Sequence, residues 1–260
     1  MSFRQHFSCS RKNWLYEDAY SNSFTQLQWT KSLKISIIWR ALFFTWWVVN
    51  FIRAYIIHFP IGHSKLFPLI YLTRWGELAI LSYSLVSLLT VAAAVIKKRD
   101  YEEANCLEKF SGFLAELCAT TSLCITILYY TLDTGSWKYD SLYIHFLNFI
   151  FMFLDLWMIR TNFKFYHFWV ISLFFACYVV VNAIVWATDN TVVPYDALNW
   201  GTKTGFSVGV SIGVIFAASP IIHGIMCLVV CLRKWLAGKC GENDDEVVAP
   251  QGKDNFAMEL

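Results

Sequence analysis

Residues 67–96 read FPLIYLTRWGELAILSYSLVSLLTVAAAVI, an apolar run interrupted near its start by Thr73, Arg74 and Glu77. About 20 predominantly apolar residues cross a ~30 Å hydrocarbon core, because an α-helix rises ~1.5 Å per residue. The stretch is therefore long enough to span a membrane as a helix. Its two charges and its hydroxyl need a separate explanation, since polar groups inside a bilayer are costly.

The whole chain shares this apolar character. Of its 260 residues 57% are hydrophobic and 15% are charged, against about 25% charged in soluble domains. Scanning by length and apolarity predicts an all-α, polytopic bundle of six transmembrane helices. The predicted spans are 36–57, 68–96, 110–132, 141–159, 166–187 and 206–232.

The distribution of Lys and Arg predicts the orientation of this bundle. Fifteen of these residues fall in segments on one side of the predicted spans, and three (Lys65, Lys138 and Lys203) fall on the other. Positive charge stays cytoplasmic in short loops, so both termini are expected in the cytoplasm. Residues 1–35 then form a cytoplasmic N-terminal segment, 36–235 the transmembrane domain, and 236–260 a cytoplasmic tail.

The tail GENDDEVVAPQGKDNFAMEL (241–260) is polar and acidic, which predicts disorder. Its last four residues could add as a strand to the groove of a cytoplasmic partner, or the tail could be inert. None of the eight cysteines falls in an outward loop, which argues against a disulfide framework. Cys231 and Cys240 lie at the predicted membrane boundary, and the sequence allows either palmitoylation of these cysteines or unmodified thiols.

Motifs for cofactors and metals are missing from the sequence. It has no Gly-rich phosphate loop, no HExxH, no CxxC pair and no GxSxG elbow. We therefore predict no cofactor, no metal and no nucleic-acid partner. The basic face is expected to meet anionic lipid headgroups, and any chemistry must come from polar residues within the spans.

Charged side chains within the predicted spans balance in number. Three arginines (Arg40, Arg53, Arg74) face three acids (Glu77, Glu116, Asp155), which predicts mutual pairing. Arg74 and Glu77 are three residues apart and share a helix face. Asp155, Glu116, His223 and Arg40 should form a second polar group nearer the cytoplasmic side, either a structural network or the floor of a cavity.

Counting inward from the outer ends of the spans gives the depth of two further residues. Thr73 lies about 7 Å into the second span and His145 about 6 Å into the fourth. If the two helices are neighbours, His145 could accept the Thr73 proton as a general base. A structural polar network and an ion or proton pathway are the alternatives that spacing leaves open.

Three motifs carry a resemblance to a known family: YLTRW (71–75), YIHFLNFIFMFLDLWMIR (143–160) and VVPYDALNW (192–200). Together with the six predicted spans they resemble the rolling stone proteins of animals, and more distantly the androgen-induced transmembrane proteins. The distant relatives are hydrolases of fatty acid esters of hydroxy fatty acids. The resemblance implies a Thr nucleophile at Thr73 and a catalytic His at His145. An acidic residue ten positions after the His, here Asp155, also matches in residue type.

The leading hypothesis is thus an intramembrane threonine hydrolase acting on lipid esters, with Arg74 or a neighbouring donor at the oxyanion. Trp75, Tyr143 and Tyr195 are expected at the mouth of a cavity that the 188–205 loop caps. Rolling stone itself is associated with myoblast fusion at the plasma membrane. A non-enzymatic component of cell fusion or contact is therefore the second hypothesis, and a transporter the third. The plasma membrane is favoured over the endoplasmic reticulum.

Overall fold

The computed structural model describes Tyr16 and residues 19–58, 70–97, 103–132 and 145–239, and this part of the chain is helical. Shorter elements lie between the helices: two 3₁₀ turns at Phe165–His167 and Asp196–Leu198, and a π-helical segment at Val214–Ala218 that is continuous with the last two helices. The helices are α1 (Asn22–Thr25), α2 (Leu33–His58), α3 (Leu72–Lys97), α4 (Cys106–Leu132), α5 (Leu147–Met158), α6 (Phe168–Thr188), α7 (Thr204–Gly213) and α8 (Ser219–Lys239).

Five helical stretches are long and apolar enough to cross a membrane: Leu33–Arg53, Leu72–Lys97, Cys106–Leu132, Phe165–Thr188 and Thr204–Gly238. The predicted all-α architecture is confirmed, and the chain is a multi-pass helical membrane protein. Each stretch overlaps one predicted span. The predicted spans agree with these helices because a run of more than 20 apolar residues has few other stable conformations in a bilayer.

The fourth predicted span, 141–159, corresponds to a shorter element. Helix α5 has 12 residues, or about 18 Å at ~1.5 Å per residue, which is less than the ~30 Å hydrocarbon core. Residues 141–144 lie outside the described part of the chain. The predicted tail beyond 239, with Cys240, also lies outside the described residues, as does Tyr143.

Helix α4 lies at the centre of the bundle. It packs against α3 and α5, and α8 packs against both α4 and α6. In its most apolar window 72% of the residues are buried, against 22–39% in the other four stretches. Helices α3 and α5, which correspond to the second and fourth predicted spans, therefore both pack against α4.

The described part of the N-terminal segment covers one end of this bundle. Helix α1 packs against α3 and α4, and the Ser21 hydroxyl donates to the Glu108 carboxylate (2.7 Å). A Cβ at Gly112 would lie 2.5 Å from the Phe24 ring, so glycine allows this close approach. We call this the N-segment end, and the opposite end, where α3 begins and α4 finishes, the cavity end.

Candidate functional site

Thr73 and His145 meet at the cavity end. Thr73 lies in the first turn of α3, and its Oγ1 is 3.4 Å from His145 Nδ1. That separation is long for a hydrogen bond, but catalytic hydrogen bonds are often long before substrate binds. We call Thr73 and His145 the cavity pair.

Helix α4 positions the histidine of this pair. The Thr126 hydroxyl lies 2.6 Å from the His145 carbonyl oxygen and fixes the backbone just before α5. The Tyr129 ring stacks on the imidazole, with centroids 3.5 Å apart and planes inclined by 12°. The backbone contact and the ring contact together restrict the imidazole to an orientation that faces Thr73.

A third hydroxyl converges on the same point. The Tyr195 hydroxyl oxygen lies 3.4 Å from Thr73 Oγ1, on the connection between α6 and α7. Two contacts hold this connection: the Tyr195 ring packs edge-on against Tyr71, and the Trp200 indole donates to the Asn182 side chain (2.9 Å). The connection thus folds back over the cavity end.

These three groups face an apolar cavity of about 610 Å³, measured to its open mouth. Aliphatic and aromatic side chains form most of the wall, which suits a hydrocarbon chain better than a polar solute. They come from α3, α4, α6, α7, the 3₁₀ turn before α7 and the π-helical segment after it: Leu72, Ile125, Leu128, Tyr129, Leu132, Phe175, Tyr178, Val179, Leu198, Val210 and Val214.

Arg74 and Glu77 lie beside the cavity pair on α3. Their side chains form an ion pair three residues apart, as the spacing indicates. Each is close to fully buried, at 11% and 8% exposed. The charge at this point of the helix is therefore largely neutralised within α3, which makes the segment less costly to place near the membrane.

Asp155 belongs to a separate buried cluster. It forms a salt bridge with Arg40 (2.9 Å) and accepts hydrogen bonds from the Tyr83 hydroxyl (2.5 Å) and the Trp39 indole (2.7 Å). These contacts join α2, α3 and α5 within the bundle. The structure thus does not bring Asp155 to His145, and its carboxylate serves to pair Arg40.

Glu116 and His223 form a third group near the N-segment end. Glu116 accepts from the Tyr16 hydroxyl and from the Lys164 backbone N–H (3.1 Å), and it lies 3.0 Å from His167 Nδ1. Burial raises the pKa of Tyr16 well above its ordinary value, with a further contribution from Glu116, so this phenol stays a neutral donor.

His223 makes a second Thr–His contact in the molecule. Its Nδ1 lies 3.0 Å from Thr120 Oγ1, and its Nε2 lies 3.0 Å from the Lys164 carbonyl oxygen. Since a carbonyl can only accept, Nε2 carries the proton and Nδ1 accepts from Thr120. We call Thr120 and His223 the buried pair, because neither side chain has exposed surface.

Sequence reasoning missed several side chains that build these groups. Arg233, counted as a cytoplasmic charge, is fully buried and donates to the carbonyls of Leu156 (2.5 Å) and Thr161 (3.0 Å). Thr126 and Tyr129 gave no signal because their importance depends on which helix faces α5. Tyr195 was expected at the mouth of a cavity, but its contact with Thr73 was not.

Within residues 16, 19–58, 70–97, 103–132 and 145–239, no group of three His, Cys, Asp or Glu side chains could hold a metal ion. Comparisons with protein-family models, with curated proteins and with solved structures found no match. The function must therefore be inferred from the geometry of the chain itself.

Proposed function

We propose that this membrane protein is a threonine hydrolase of long-chain lipid esters. The observation that carries the proposal is the placement of the Thr73 hydroxyl 3.4 Å from His145 Nδ1 on the wall of an apolar cavity. The resemblance to the rolling stone and androgen-induced proteins supports it, and it makes fatty acid esters of hydroxy fatty acids the first substrates to test.

The proposal includes a topology with six crossings and both termini in the cytoplasm. Helix α5 with the residues before it would form the fourth crossing, and the Lys and Arg distribution supports the orientation. The cavity end then faces outward, where a lipid ester can enter from the outer leaflet. The plasma membrane is the proposed location.

In the first half of the reaction, Thr73 Oγ1 attacks the ester carbonyl carbon while its proton moves to His145 Nδ1. This role requires the His145 tautomer with its proton on Nε2. The carbonyl oxygen becomes an oxyanion, and the Tyr195 hydroxyl is placed to donate to it. The bond from carbon to the alcohol oxygen then breaks, and the departing alcohol takes the proton from His145.

In the second half, water adds to the acyl carbon of the acyl-threonine. His145 Nδ1 accepts a water proton as the new carbon–oxygen bond forms. The bond to Thr73 Oγ1 breaks, and His145 returns the proton to the Thr73 oxygen. A free fatty acid leaves, and the protein is restored.

The test compares purified wild type with Thr73→Ala and His145→Ala in hydrolysis of long-chain esters. Both changes should lower the rate by at least about 10³-fold, because each removes a group that acts on the reacting atoms. The matched control is Thr131→Ala, since the Thr131 hydroxyl is exposed and bonds to its own helix. Equal rates in all four proteins would contradict the proposal.

A further inference from the structure

The cavity pair lies on the wall of a second, smaller cavity. This smaller chamber measures about 220 Å³ to its open mouth, against about 610 Å³ for the larger one. It is lined by Thr73, Gly76, Ile80, Ser122, Ile125, His145 and Asn148. Thr73, Ile125 and His145 thus belong to the walls of both chambers.

Ile125 lies between the two chambers, and Gly76 leaves room for it. A Cβ at position 76 would lie 2.8 Å from Ile125 Cδ1, too close for any other residue without a shift. The Ile125 side chain therefore occupies the space that a side chain at position 76 would take. The Ile125 side chain thus forms part of the wall between the larger and the smaller chamber.

The smaller chamber differs from the larger one in chemistry as well as size. Ser122 and Asn148 add polar side chains to those of the cavity pair. The Ser122 hydroxyl donates to the Ala119 carbonyl of its own helix (3.0 Å), so its oxygen can still accept a hydrogen bond. Asn148 lies in the first turn of α5 and lines the chamber together with His145, which comes two residues before that helix. The Asn148 amide can both donate and accept.

A buried water needs a polar site with about two to four hydrogen-bond partners. Four of the seven residues that line the smaller chamber, Thr73, His145, Ser122 and Asn148, have polar side chains that can be such partners, whereas most residues of the larger chamber are apolar. In the proposed reaction the ester enters and the alcohol leaves through the larger chamber, because its wall is mostly apolar. A water in the smaller chamber can reach the acyl carbon without exchanging places with either product.

We propose that the smaller chamber holds the water that hydrolyses the acyl-threonine, and that Asn148 positions it. This inference rests on the proposed function, and it divides the two half-reactions between the two chambers. Asn148 holds the water oxygen near the acyl carbon while His145 Nδ1 takes the proton. The carbon–Oγ1 bond breaks, Thr73 regains its proton from His145, and the fatty acid is released.

The test separates acylation from deacylation with a long-chain p-nitrophenyl ester. Asn148→Leu fills the chamber with an apolar side chain, and Ser122→Val does so from α4. Both variants should keep the initial burst of nitrophenol and then turn over at least about tenfold more slowly. Intact-protein mass spectrometry should show one acyl group accumulating on Thr73. Asn50→Leu is the matched control, because Asn50 lies on α2, which lines neither chamber, and its side chain donates to the Trp46 carbonyl of the same helix.

Each result has a defined consequence. Steady turnover at the wild-type rate in both chamber variants, without an acyl adduct, would overturn the water assignment and leave the threonine hydrolase intact. Loss of the burst in both would also overturn it, since the chamber would then serve acylation. A wild type that releases no nitrophenol and takes up no acyl group would contradict the proposed function, and this inference with it.

Discussion

The described part of the chain contains two Thr–His pairs, and the shorter contact belongs to the buried pair, which adjoins no cavity. In the buried pair the oxygen and nitrogen are 3.0 Å apart, and Glu116 lies 3.5 Å behind His223. In the cavity pair the separation is 3.4 Å, and the neighbours are hydroxyls and aromatic rings. Contact geometry alone would therefore select the buried pair rather than the proposed site.

Access to a substrate distinguishes the two pairs. Thr120 and His223 are each 0% exposed and are packed among the residues that join α4 and α8. Thr73 and His145 form part of the walls of two chambers. The comparison teaches that a Thr–His contact in a membrane bundle is structural unless space adjoins it. It predicts that the buried region carries stability and the cavity end carries turnover.

Removing Asp155 should produce the largest loss of stability. Asp155→Ala leaves Arg40 buried without its carboxylate and removes the acceptor for Tyr83 and Trp39. Breaking a buried pair by removing one partner costs about 3–5 kcal/mol. We expect the free energy of unfolding in detergent to fall by that amount, while turnover per folded molecule stays near the wild-type value.

The paired variant Arg40→Met with Asp155→Leu serves as the control for Asp155→Ala. It removes both charges and should recover much of the lost stability. A single variant as stable as the wild type would show that the Arg40–Asp155 contact does not hold the bundle together.

Removing the Tyr195 hydroxyl should have the opposite profile. Tyr195→Phe deletes the donor placed for the oxyanion and keeps the ring contact with Tyr71. Loss of one such donor lowers kcat by about 10²–10³-fold, or ~2.7–4 kcal/mol of barrier. We expect kcat to fall with little change in KM or in the unfolding curve, measured with the same lipid ester. Tyr71→Phe is the control, and equal losses in the two variants would argue against the donor role.

Breaking the buried pair should have the smallest effect. Thr120→Val removes the donor to His223 Nδ1 and leaves that buried nitrogen without the Thr120 proton. A buried polar group left unsatisfied costs about 1–3 kcal/mol. The free energy of unfolding should fall by this amount with turnover retained. If turnover instead fell as far as in Thr73→Ala, the division between the two pairs would be wrong.

The sequence predicted most of the fold because long apolar runs allow few alternatives in a membrane. Five of the six predicted spans overlap helices of sufficient length. The fourth corresponds to α5, which ends at Met158, in agreement with the predicted end at 159, but its 12 residues are fewer than a full crossing needs. The turn after α5 was not predicted, because it is held by Arg233, a buried arginine from a distant helix that no local pattern of the 141–159 segment contains.

The candidate site was predictable in depth but not in its surroundings. The position of a residue along a helix axis follows from counting, so Thr73 and His145 could be placed at one level. Which helices face each other is set by side-chain packing across the bundle, which is why Thr126 and Tyr129 on α4 gave no signal. The pairing of Arg74 with Glu77, three residues apart, follows from the sequence directly. Arg40 and Asp155, 115 residues apart, were expected in one polar group with Glu116 and His223, but the sequence did not indicate which acid pairs with Arg40.

The most direct test of the central claim is to identify the residue that an active-site probe modifies. The wild type is treated with a long-chain alkyl fluorophosphonate, and the modified peptide is located by mass spectrometry. We predict a single adduct on Thr73, abolished by Thr73→Ala, strongly reduced by His145→Ala and unchanged by Thr120→Val. Labelling that persists in Thr73→Ala, or that falls on Thr120, would contradict the assignment of catalysis to the cavity pair.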